Sequence, residues 1–234
     1  MDTRLFQDEK LYCEGKHKPN YRGYVHLYSL VLFPIGLWFL YNGIASSYAF
    51  TLVSLNLFLN FLCFGTSAVY HTGNWSLQTE IFLQKMDHIV ISLWCLGMIV
   101  PVSLLVFPYH IRISTICLSL ALCVSNCYFI SISKPSILLS AAIPSLFLLY
   151  LDSCFLYMNT IELFFMWCVY GFQFIGTMFF SLKITPSFCN NDIFGYHEIF
   201  HTISILVSIC LFIFEYSIAS RYNDPPSISS MLNE

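Results

Sequence analysis

The chain has 234 residues, of which 57% are hydrophobic and 10% charged, and a mean hydropathy of +0.70. A soluble domain carries roughly 25% charged residues, so the composition excludes that class and points to an integral membrane protein. The formal net charge of −3 argues against a nucleic-acid partner.

The chain opens with "MDTRLFQDEKLYCEGKHK", which is polar and has no apolar core, so no cleavable signal peptide is expected. Residues 1–26 read as a polar arm. A membrane-spanning helix needs about 20 mostly apolar residues. Such runs fall at 27–45, 48–70, 86–107, 112–132, 136–158, 161–181 and 197–220. The expected fold is therefore all-α, a seven-transmembrane helix bundle over 27–220 with short connections and no second domain. Pro34, Pro101 and Pro144 interrupt runs, which a membrane helix tolerates where neighbours satisfy the freed carbonyls. The tail 221–234, "RYNDPPSISSMLNE", reads as disordered. Seven of the ten cysteines (Cys63, Cys95, Cys117, Cys123, Cys127, Cys168 and Cys210) sit inside apolar runs, and no CxxC pair occurs. They read as reduced, buried small hydrophobes.

Orientation follows from lysine and arginine. Arg4, Lys10, Lys16, Lys18 and Arg22 precede the first run, and alternate loops carry Lys85, Lys134 and Lys183. The opposite side has only Arg112 and Arg221. The expectation is an N-terminus in the cytosol and, with seven helices, a C-terminus outside. The sequon "NWS" at Asn74 then faces the cytosol and is silent.

Ionisable residues inside spans are costly and are functional candidates by default. His71 ends the second run in "SAVYH", Asp87 opens the third in "KMDHIVIS", and His197 and His201 open the seventh in "GYHEIFH". Under the expected topology all four lie near the cytosolic ends of their helices. A spacing of four places His197 and His201 on one helix face, one turn apart, which suits two ligands of one metal. His71 is the candidate third ligand, and Ser67 shares its face one turn earlier. Three neutral imidazoles with an open fourth position describe a catalytic zinc site, where the pKa of water falls to about 7. Asp87 is then placed to orient that water or take its proton.

The plainer reading of a lone interfacial histidine is one wetted by lipid headgroups. His26 and His88 are read that way or as structural, with His88 bonding near Asp87. His17 and His110 are assigned to loops. Asp152, Glu162 and Glu215 are placed near the outer face, within reach of water, without chemistry. "HEIFH" also fits the zincin pattern H-E-x-x-H, in which the glutamate is the general base. Against a zincin, few carboxylates follow the motif, and Glu198 points about 100° away from His197 around the helix.

"SAVYH", "KMDHIVISLWCLGMIVP" and "FGYHEIFH", in that order, resemble the hemolysin III family, within the progestin and adipoQ receptor superfamily that includes the adiponectin receptors. The likeness covers most of the chain. It implies a zinc ion held by His71, His197 and His201, with Ser67 and Asp87 close by, and hydrolysis of a lipid amide such as ceramide. In "KPNYRGYVHLYS", His26 matches the family's first motif, but the acid that precedes that histidine in many relatives is absent. The long N-terminal domain of the animal receptors has no counterpart, so a hormone receptor is not implied. The reading is a multi-pass, zinc-dependent hydrolase of a lipid amide, whose partners are membrane lipids. The alternatives are a receptor or channel-like protein in which zinc only staples the helices, and an intramembrane metalloprotease.

Overall fold

The computed structural model of the protein describes residues 11–15, 18–134, 137–187, 189–190 and 192–222. Every regular element among them is helical. A 3-10 turn over Tyr12–Glu14 precedes α1 (Tyr24–Ser29), α2 (Leu32–Gly43), α3 (Ser47–Thr72), α4 (Leu77–Val106) and α5 (Tyr109–Ser131). Then come α6 (Ile137–Ala142), a 3-10 segment (Pro144–Tyr150), α7 (Leu151–Tyr157), α8 (Thr160–Ser181) and α9 (Tyr196–Ser220). Among the described residues, six stretches are long and apolar enough to cross a membrane: Tyr24–Gly43, which joins α1 and α2, and α3, α4, α5, α8 and α9. The chain is a multi-pass integral membrane protein.

The run at 136–158 is not one helix, and here the seven-helix expectation meets six qualifying helices. Pro144 has no N–H, and its ring excludes the carbonyl four residues back. The chain accordingly stops at Ala142, tightens into a 3-10 segment and restarts as α7. The Tyr170 hydroxyl of α8 donates to the Pro144 carbonyl at 2.7 Å. Pro34 does the same on a smaller scale, separating α1 from α2 at Leu30 and Val31. α4 runs unbroken through Pro101.

α4 begins at Leu77, well ahead of the apolar run, because Ser76 caps it by accepting from Thr79 N. At about 1.5 Å per residue a helix of this length exceeds the roughly 30 Å hydrocarbon core, so hydropathy detects only its deep part. Asp87 therefore lies in the third turn of its helix, not at its head. Ser46 caps α3 in the same way, accepting from Ala49 N at 3.2 Å.

α9 is the central helix: it packs along α8 and also touches α1, α2, α3 and α4. α3 packs on α4, and α4 on α5. All ten cysteines are free thiols; Cys63, Cys95 and Cys123 are buried, whereas Cys117, expected to be buried, is exposed and Cys127, Cys168 and Cys210 are half-buried. Two carboxylates assigned to water are buried instead. Glu162 caps α8 through Asn159 and pairs with Arg221, Nε to Oε1 at 2.7 Å. Glu215, 2% exposed, accepts on both oxygens from Asn56 Nδ2 at 2.8 Å. In each case a helix neighbour replaces the water that the sequence reading supplied. Asp152 is exposed, and His110 stands in the first turn of α5 rather than a loop. His17, Arg4, Lys10, Lys16 and the tail from residue 223 lie outside the described residues.

Candidate metal centre

The last turn of α3 carries His71, and the first two turns of α9 carry His197 and His201. Their ring centroids lie 4.8 Å (His71–His197), 5.2 Å (His71–His201) and 4.5 Å (His197–His201) apart. Each offers one nitrogen, and the three nitrogens lie within 4.8 Å of one another. His71 and His201 are buried and His197 half-buried. His201 Nδ1 is a buried atom with no hydrogen-bond partner among the described residues. A set of three imidazole nitrogens matches the ligand preference of zinc.

Asp87 on α4 faces the same space, with Oδ2 at 3.9 Å from His71 Nε2. Ser67, one turn before His71 on α3, is buried and lines the same cavity as Asp87. The structure thus brings all five predicted residues, His71, His197, His201, Ser67 and Asp87, to one cavity of about 190 Å³. Its remaining wall is largely apolar and aromatic, with Phe64, Trp94, Ile130, Phe180 and Phe200. His88 lines the cavity too, but its Nδ1 meets the Gln84 carbonyl of its own helix at 2.6 Å.

Four contributors escaped the sequence reading. His26 is not solvated: it is 4% exposed and stacked between Phe64, at 4.4 Å, and His201, at 3.9 Å. Arg22 is buried and donates from Nε to Glu198 Oε1 and from Nη1 to the Tyr12 hydroxyl at 2.8 Å. Tyr12 in turn hydrogen-bonds His71 Nδ1 at 3.0 Å. Burial pushes the Tyr12 hydroxyl up to about 12, with Arg22 opposing, so it is neutral at physiological pH. Glu80 holds this turn in place, accepting from the backbone N–H groups of Tyr12 and Cys13. None of the four has a helical spacing that ties it to the histidines; the one signal was His26, which stands at the head of the first apolar run and matches the first motif of the resemblance.

Gly23 makes the convergence possible. Its φ of +82° is left-handed, and a Cβ there would sit 2.8 Å from His71 Cβ. Only glycine permits both the backbone and the approach, which sets α1 against the end of α3. Glu198 lies on the other flank of α9. Besides Arg22, it accepts from Gly195 N at 2.8 Å, closing the N-terminus of its own helix.

No curated protein and no solved structure matches the chain. A family model described as haemolysin-III related matches residues 14–212, a stretch that includes every residue of the histidine centre. The chain belongs to the haemolysin-III related family, in the adiponectin receptor-like superfamily.

Proposed function

We propose that the protein is a zinc-dependent membrane hydrolase of a lipid amide of the ceramide type. The observation that carries this is the set of three histidine nitrogens within 4.8 Å of one another in a cavity shared with Asp87 and Ser67. His71, His197 and His201 would hold the ion. Zinc, when bound, polarises a carbonyl and makes water more nucleophilic. Asp87 orients the attacking water, accepts its proton and delivers it to the amide nitrogen as the carbon–nitrogen bond breaks. The products are a fatty acid and an amine. Ser67 fixes the Asp87 carboxylate, and the aromatic wall takes the acyl chain. Glu198 is committed to Arg22 and Gly195, which favours this reading over a zincin, whose glutamate must reach the metal water.

The same proposal includes seven crossings with the N-terminus in the cytosol. Lys85 Nζ donates to the Ser131 carbonyl at 2.9 Å, which puts the end of α5 beside the start of α4. Ser114, near the other end of α5, meets the Tyr150 hydroxyl at 2.8 Å. The broken segment from α6 to α7 therefore runs back along α5, and α8 starts at the far end, where Glu162 pairs with Arg221. Lys18, Arg22, Lys85, Lys134 and Lys183 cluster by sequence at the histidine end, the side the positive-inside rule assigns to the cytosol.

Two measurements test the chemistry: zinc per chain, and fatty acid released from a ceramide panel. His71→Ala, His197→Ala and His201→Ala should each lose zinc and activity together. Asp87→Asn should keep zinc and lose turnover by about 10²–10⁴-fold. Wild-type protein that holds zinc and releases no fatty acid would replace this reading with a zinc staple. Loss of zinc from Asp87→Asn would make Asp87 a ligand.

A further inference from the structure

The segment before the first membrane helix reaches into the metal centre. Tyr12 is the one described residue outside the helical bundle whose side chain hydrogen-bonds a candidate ligand, His71 Nδ1, at 3.0 Å. The contact is built rather than incidental. Glu80 holds the backbone of Tyr12 and Cys13, Arg22 Nη1 donates to the Tyr12 hydroxyl at 2.8 Å, and Lys18 Nζ ties the following stretch to the Gly73 carbonyl at 2.8 Å. The backbone of Asn20 and Tyr21 then bonds to the carbonyls of Asp192 and Ile193, just ahead of α9. One short segment thus joins the ends of the two ligand-bearing helices.

We propose that Tyr12 is a positioning residue of the metal centre, acting through His71. The inference rests on the metal reading above. A histidine that ligates through Nε2 must carry its proton on Nδ1, and its affinity depends on what accepts that proton. A phenolic oxygen has two lone pairs. Arg22 uses one, and the other faces His71 Nδ1. With that proton accepted, the ring is fixed in one tautomer and one orientation, with Nε2 toward the centre and 3.9 Å from Asp87 Oδ2. The cation of Arg22 is neutralised in the same network by Glu198 on α9, so it does not oppose a metal dication unpaired.

The test uses the full-length protein in detergent, with zinc affinity measured by chelator competition and the cobalt(II)-loaded form read by visible absorption. Tyr12→Phe should lower zinc affinity by about 10–100-fold, the usual consequence of removing such a partner, and shift the cobalt bands. The helical circular dichroism should stay unchanged. Glu80→Ala, which releases the turn without touching any histidine, should move both readouts in the same direction. Tyr28→Phe, on a residue 68% exposed, is the control and should move neither. Unchanged affinity and unchanged cobalt bands in Tyr12→Phe would overturn the proposal while leaving the metal reading intact. Wild-type protein that binds neither metal would overturn both.

Discussion

Glu198 and Glu215 lie on the same helix and are buried alike, yet they are kept in different ways. Glu198 faces a cation, Arg22, and closes its own helix N-terminus. Glu215 meets an amide, Asn56. Breaking a buried ion pair from one side strands the other charge, at a cost of about 3–5 kcal/mol, whereas replacing both partners with apolar groups is often neutral. Arg22→Met should therefore lower the unfolding midpoint strongly, and the double variant Arg22→Met with Glu198→Met should recover much of the loss. A double variant as unstable as the sum of the singles would mean the pair is not coupled. Glu198→Gln keeps a hydrogen-bonding shape but leaves the Arg22 charge unpaired, so it should lower stability and weaken zinc binding, while the zinc-loaded protein largely keeps its turnover. Near-complete inactivation with zinc retained would instead favour the zincin mechanism. For Glu215, Asn56→Leu removes the amide that donates to both carboxyl oxygens, and should cost about 1–3 kcal/mol of stability without changing zinc content.

At the scale of elements, the approach of α1 to α3 rests on Gly23. Alanine there meets two penalties, a left-handed backbone and a Cβ against His71 Cβ. The backbone alone costs about 1–3 kcal/mol. Gly23→Ala should lower the unfolding midpoint and weaken zinc binding together, because relief of the clash moves His71. A variant with normal zinc affinity would show that the start of α1 does not hold the ligand in place. The segment from α6 to α7 follows a different logic. Pro144 breaks it, and Tyr170 of α8 bonds the Pro144 carbonyl. Ser140 and Ala141 of that segment line the same cavity as the histidines.

Across the whole molecule, charge and chemistry gather at one end. The histidine centre, the N-terminal turn and Lys85 belong to the end where α3 finishes and α4 and α9 begin. Arg221 with Glu162 marks the opposite end. In the proposed orientation Asn74, in the link between α3 and α4, faces the cytosol and stays unmodified on expression in a glycosylating host. Glycan on Asn74, detected as a glycosidase-sensitive mass shift, would invert the topology. Stripping the metal should loosen the same end first. With chelator present, hydrogen exchange should rise at the start of α9 and the end of α3, and should stay unchanged around Glu162.

Local rules made part of this protein legible without a fold. Hydrocarbon depth demands long apolar runs, so the membrane class and most span positions could be read from composition in a window. The 3.6-residue repeat put His197 and His201 on one face, and Ser67 on that of His71. The alternation of loops placed three helices' ionisable groups in one layer. What touches across long separations was not legible, because no periodic pattern records it. Arg22 and Glu198 are 176 positions apart, and Tyr12 and His71 are 59 apart. The stacking of His26 on His201 and the burial of Glu162 and Glu215 likewise depend on which neighbour fills the space that water would occupy. Only the packed bundle decides that, since a buried polar group keeps its place when another part of the chain supplies the partner.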